Sequence, residues 1–110
     1  MRTIALAVAL CAWASAGSAQ TAGELTGLAR QGRAVADRLC AQCHAVGLSG
    51  LSPHTGAPPF RTLGNRVNLN TLKDQLRDNF FSGHPDMPTF RFSRTDARAL
   101  TAYLLSIQGQ

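Results

Sequence analysis

A chain of 110 residues with 45% hydrophobic side chains has room for one small domain and a single core, which excludes a multidomain architecture. Its 11 basic and 6 acidic side chains give a formal charge of +5. The bases stand singly along residues 30–98 with almost no aromatic interleaving, so no nucleic-acid partner is expected, and a mild attraction to an acidic protein surface is the use this charge suits.

The chain opens on a segment expected to be removed. Arg2 supplies a short positive region, residues 4–13 an apolar run, and Ala14-Ser15-Ala16 or Gly17-Ser18-Ala19 the small residues that a signal peptidase prefers. About ten apolar residues fall short of the roughly 20 that a membrane-spanning helix needs. Residues 1–19 therefore read as a cleaved secretory signal peptide and residues 20–110 as the working domain, exported to a bacterial periplasm with no transmembrane segment in its mature form. Leu10 stands where a lipoprotein signal needs a small residue, so Cys11 is expected to be discarded with the signal. Without Arg2 the formal charge becomes +4, from ten bases and six acids. Cys40 and Cys43 remain, in an oxidising compartment.

Three helices follow in the working domain. The first is expected to begin near Thr21, where Thr21 and Glu24 have capping-box spacing. Leu25, Leu28, Gly32, Val35, Ala36 and Leu39 then recur at helical spacing up to Cys40. A second helix is expected from Thr71, capped reciprocally with Asp74, carrying Leu72, Leu76 and Phe80 on one face until Gly83 ends it. The third is expected after Ser93, with Asp96 three residues on and Ala97, Leu100, Leu104 and Ile107 at helical spacing with Tyr103 alongside. Residues 49–70 are dense in Gly, Pro, Ser and Asn and show no alternation long enough for a strand. The predicted class is all-α with long loops, and loops this long in so small a domain call for an organising group other than side chains.

The segment LCAQCHAVG, residues 39–47, sets Cys40 and Cys43 three positions apart with His44 directly after. A structural zinc site takes four ligands as a rule, and no second Cys or His pair stands at finger spacing. A thioredoxin-like redox pair follows a strand, whereas an amphipathic helix precedes this one. A Cys40–Cys43 disulfide would close too short a loop to constrain much of the fold. Covalent attachment of haem c suits the spacing in every part: each thiol can form a thioether to one of two vinyl groups on one macrocycle edge. His44 is then the proximal ligand to iron. The second axial ligand is expected from a separate stiff segment, and GHPDMPTF, residues 83–90, holds Met87 between Pro85 and Pro88. Thioether sulfur is a soft ligand suited to iron, and the prolines restrict the backbone that presents it. Met87 is the only methionine besides the initiator. His84 and His54 are the alternative ligands, and otherwise ordinary surface histidines.

With these motifs the chain resembles the class I monohaem c-type cytochromes, small bacterial proteins related to mitochondrial cytochrome c. The likeness runs over residues 32–107, through Cys40-Ala41-Gln42-Cys43-His44, Ala57-Pro58-Pro59-Phe60, Met87-Pro88-Thr89-Phe90 and the last helix with Leu100 and Tyr103. The resemblance implies the cytochrome c fold, about three main helices and long loops wrapped around one covalently bound haem. It implies a close, nearly perpendicular crossing of the first and last helices, with Gly32 at the contact and Leu100 and Tyr103 as its partners. The family usually has an aromatic four residues after that glycine, and here Ala36 stands there. It also implies that Pro58 or Pro59 offers a carbonyl to the free nitrogen of His44, and that Arg61 or Arg66 meets a haem propionate. Phe60, Phe80, Phe81, Phe90 and Phe92 would line the crevice or the core.

Two filled axial positions leave no open iron site, so the expected function is outer-sphere electron transfer between ferric and ferrous haem rather than enzymatic turnover. Methionine ligation and a dry crevice both raise the potential. The expected partners are redox proteins with an acidic docking surface, met by a monomeric carrier. The alternatives are a permanent haem subunit of a periplasmic dehydrogenase, and a gas sensor or peroxidase in which Met87 is readily displaced.

Overall fold

Apolar residues recurring every three or four positions produce helices wherever the computed structural model places them. It describes residues 16–80 and 82–109, ordered as α1 (Ala16–Leu39), a 3-10 helix (Phe60–Asn65), α2 (Leu69–Arg77) and α3 (Arg94–Ser106). Among the described residues there is no strand, only an isolated antiparallel bridge between Phe80 and Phe90, and the all-α class holds. No helix among the described residues is long and apolar enough to cross a membrane. The expected signal segment up to residue 15, with Cys11, and Phe81 lie outside the described residues.

Helix α3 is the centre of the domain, packing against α1, α2 and the 3-10 helix. Its Ala97, Ala99, Leu100, Tyr103 and Leu104 are buried, together with Val35 and Ala36 of α1 and Leu69, Leu72 and Leu76 of α2. The expected crossing is tight. A Cβ on Gly32 would lie 1.9 Å from the Ala99 carbonyl oxygen and 2.7 Å from Tyr103 Cβ, so only hydrogen fits there. Ala99 is a partner that the sequence pattern had not singled out. Ala36 is fully buried, so a small residue fills the position where an aromatic was usual.

Several helix boundaries differ from expectation. Helix α1 starts at Ala16 rather than at a cap on Thr21, whose backbone is already helical; Ala and Gln upstream are good helix formers and let it extend. Its expected apolar stripe is buried only in the middle, for Leu25 (57% exposed) lies beyond the core. Helix α2 starts at Leu69, because the Asn68 side chain accepts the Asn70 N–H at 3.0 Å and takes the cap from Thr71. It stops at Arg77, well short of Gly83, since Asn79 adopts φ 64°, a left-handed conformation that Asn tolerates better than most residues. Phe80 therefore leaves the helix and pairs with Phe90 instead. Helix α3 begins as expected, with Ser93 Oγ accepting the Asp96 N–H at 3.0 Å.

Candidate functional site

Helix α1 delivers the cysteine segment to the centre of the domain and ends in a tight turn. Cys40 N–H donates to Ala36 O at 2.9 Å, and His44 N–H and Cys43 N–H donate to Cys40 O at 2.9 and 3.2 Å. This turn winds Cys40, Cys43 and His44 onto one wall of a cavity. Both thiols are free, so no disulfide competes for them. Burial pushes the Cys40 thiol up to about 11, because an apolar wall disfavours the thiolate.

Two adjoining cavities of about 290 and 380 Å³ share Cys40, His44, Pro58, Phe60, Met87 and Phe90 in their walls. Cys43 lines the first, and the second reaches inward to Leu72, Leu76, Leu100 and Leu104. The core thus opens directly into this space. Leu39, 39% exposed at the end of α1, lines the first cavity, which explains why a residue of the apolar stripe is not packed against protein.

The ring of His44 is fixed from two sides. Its Nδ1 lies 2.8 Å from the Pro58 carbonyl oxygen, an acceptor only, so Nδ1 carries the proton and Nε2 keeps its lone pair. Phe60 packs against the imidazole with ring centroids 5.0 Å apart. The choice between two prolines, open in the sequence, is decided by geometry: the Pro59 carbonyl accepts instead from Thr62 N–H and Oγ1 at 3.2 Å each. The loop that carries Pro58 is pinned by Phe60 N–H to Ala45 O (2.9 Å), by Ala45 N–H to Ser52 Oγ (3.0 Å) and by Gln108 Nε2 to Phe60 O (2.7 Å). The same Gln108 side chain accepts the Gly64 N–H at 2.8 Å. Gln108 and Ser52 gave no signal in the sequence, since a polar residue's long-range partner has no local periodicity.

Opposite stands the loop closed by mutual backbone hydrogen bonds of Phe80 and Phe90, at 2.8 and 3.2 Å. It carries His84, Asp86 and Met87, and all three reach the first cavity. Among the predicted site residues, Cys40, Cys43, His44, Pro58 and Met87 are therefore brought together. Pro59 and Arg61 are not on the cavity walls. Arg61 Nη2 donates to Gly50 O at 2.9 Å, while its Nη1 is buried without a partner. Arg66 lines the second cavity. Of the two alternative histidine ligands, both line the first cavity, but His54 faces Asp86 at 3.3 Å. Among the described residues, no lysine or arginine stands in the wall of the first cavity.

The donor set fits a haem: two free thiols, an imidazole with an available nitrogen and a thioether surround a largely apolar space that opens into the core. Comparison with known proteins agrees. Residues 27–104 match the family described as cytochrome c oxidase, cbb3-type, subunit III. The chain is 31% identical over 108 residues to cytochrome c-552 of Bradyrhizobium diazoefficiens, covering 98% of this chain and 95% of that protein. No solved structure matches. The chain belongs to this family of small c-type cytochromes; it is a haem-based electron carrier rather than an enzyme, and its cofactor is covalently bound haem c with iron.

Proposed function

We propose that this cytochrome shuttles single electrons between periplasmic proteins, with Cys40 and Cys43 as the thioether anchors, His44 and Met87 as the axial ligands and the signal peptide of residues 1–19 removed on export. The observation that supports it best is the convergence of Cys40, Cys43, His44 and Met87 on one apolar space. Bound there, haem iron supplies one-electron redox chemistry. The residues do the rest. Pro58 O holds the Nδ1 proton of His44, which orients the ring and makes Nε2 a better donor. Phe60 stops the imidazole from tilting, and Phe90, Leu72 and Leu100 exclude water. Exclusion of water disfavours the more highly charged ferric form and raises the potential. Pro58, Pro59 and Arg61 belong to the loop that shapes the proximal side, and Arg66, on the wall of the second cavity, suits a propionate oxygen.

Cys43, with Leu39 and Gln42 beside it on the wall of the first cavity, would hold the haem edge through which electrons would leave. Among the described residues the wall of the first cavity has no lysine or arginine, so the charge on the rest of the molecule attracts an acidic partner from a distance while the contact itself is largely apolar and brief. The working form is a monomeric carrier; co-elution of the haem with a larger complex from native extract would favour a permanent subunit.

The reading is tested on haem-loaded protein. A pyridine haemochrome assay should give the bis-thioether spectrum, and the ferric protein should show the weak red-end absorption of a sulfur–iron bond. Met87→His should abolish that band and lower the midpoint potential. A wild-type spectrum without the band, unchanged by the substitution, refutes Met87 as ligand.

A further inference from the structure

We infer that His54 and Asp86 form a clasp across the mouth of the haem crevice, and that this contact is what positions the Met87 loop over the iron. His54 belongs to the proximal half. Its N–H donates to Cys43 O at 3.0 Å, its carbonyl accepts from Ala57 N–H at 3.1 Å, and its Nδ1 accepts the Gly56 N–H at 3.1 Å. Because Nδ1 accepts, the proton of the neutral ring sits on Nε2, the atom that lies 3.3 Å from Asp86 Oδ2.

Asp86 belongs to the distal half, one residue before Met87. That loop is closed at its base by Phe80 and Phe90 and turned at its tip by Met87 N–H to His84 O at 3.2 Å. Among the described residues, the His54–Asp86 contact is the one polar link between this loop and the segment 40–66 that carries the cysteines and His44. Pro85 and Pro88 leave the loop few backbone freedoms, so a single tether at its tip has leverage over its position. Both partners are exposed, with side chains 44% and 76% accessible. Its contribution is accordingly that of a surface pair: enough to shift an open–closed equilibrium, too small to decide folding.

The inference rests on Met87 being the distal ligand, and its test separates the two. Imidazole competes with Met87 for ferric iron, so its apparent affinity follows the fraction of molecules whose loop is open. It is titrated at fixed pH and ionic strength into haem-loaded wild type, His54→Asn, Asp86→Ala and the double variant. Asn at 54 keeps a side-chain acceptor for Gly56 N–H and is too short to reach Asp86. Each single variant should bind imidazole about two- to fivefold more tightly, with the double variant no tighter than the stronger single one. Asp86→Glu, which restores the carboxylate, should recover most of the wild-type affinity. A red-end sulfur–iron band in all four proteins with unchanged imidazole affinity, or additive effects of the two substitutions, overturns the clasp alone. A wild type without that band overturns the ligand assignment and the clasp with it.

Discussion

Gly32 carries the helix crossing on a single hydrogen atom. With the Ala99 carbonyl oxygen 1.9 Å and Tyr103 Cβ 2.7 Å from where a Cβ would be, Gly32→Ala must push α1 and α3 apart, and the clash is with backbone that has no rotamer to change. We expect a loss of about 3 kcal/mol, the upper end for overpacking, read as a lower denaturant midpoint in the haem-loaded protein. An unchanged midpoint would mean that the crossing is not the tight contact described. Tyr103 locks the same crossing from its other end. Its hydroxyl donates to Val46 O, two residues beyond His44, and accepts from Arg33 Nη1 at 3.1 Å. One residue of α3 thus ties the last helix to α1 and to the turn that presents His44.

Helix ends depend on which side chain reaches the first free N–H groups, and the three helices differ in how plainly the sequence states this. Ser93 and Asp96 stand at capping distance with no competing cap nearby, so α3 begins as its pattern predicts. Ser93→Ala should cost about 1 kcal/mol, because it leaves the Asp96 N–H without its acceptor; a thermal midpoint equal to wild type would contradict that. Before α2, Asn68 and Thr71 both have capping chemistry, and Leu69 decides between them: it is buried and joins the core only if the helix starts early enough to include it. The end of α2 was less legible still. The apolar spacing of Leu72, Leu76 and Phe80 continues past Asn79, yet the chain turns there and Phe80 pairs with a residue ten positions away. Periodicity reports which residues want burial; it does not say whether helix or loop takes them there.

At the scale of the molecule, the described guanidinium groups lie away from the first cavity, and Arg66 alone of them lines the second. Guanidinium groups are spread over the surface, three of them in ion pairs with Asp37, Asp74 and Glu24, while the wall of the first cavity has none. Electron transfer to an acidic partner should therefore slow by about two- to tenfold as ionic strength rises from about 10 to 150 mM, since the Debye length shrinks from roughly 30 to 8 Å. Stopped-flow rates that do not change over this range would remove the steering role assigned to the basic residues. The 380 Å³ cavity is walled by Leu72, Leu76, Leu100 and Leu104, so the apolar faces of α2 and α3 are turned toward a cofactor as much as toward each other.

While the glycine at the helix crossing was implied by the family resemblance, the sequence by itself determined the cysteine-histidine turn, the methionine between two prolines and the all-α class. Each is encoded within a few residues, by the reach of side chains along one stretch of backbone or by a spacing that one helix imposes. Only the tertiary structure decided that Pro58 rather than Pro59 faces His44, that Gln108 holds the proximal loop, that Phe80 closes the methionine loop and that His54 meets Asp86 across the crevice. Those contacts join segments 10 to 48 residues apart, and a hydrogen bond between distant segments depends on how the intervening chain is folded rather than on anything either partner shows locally.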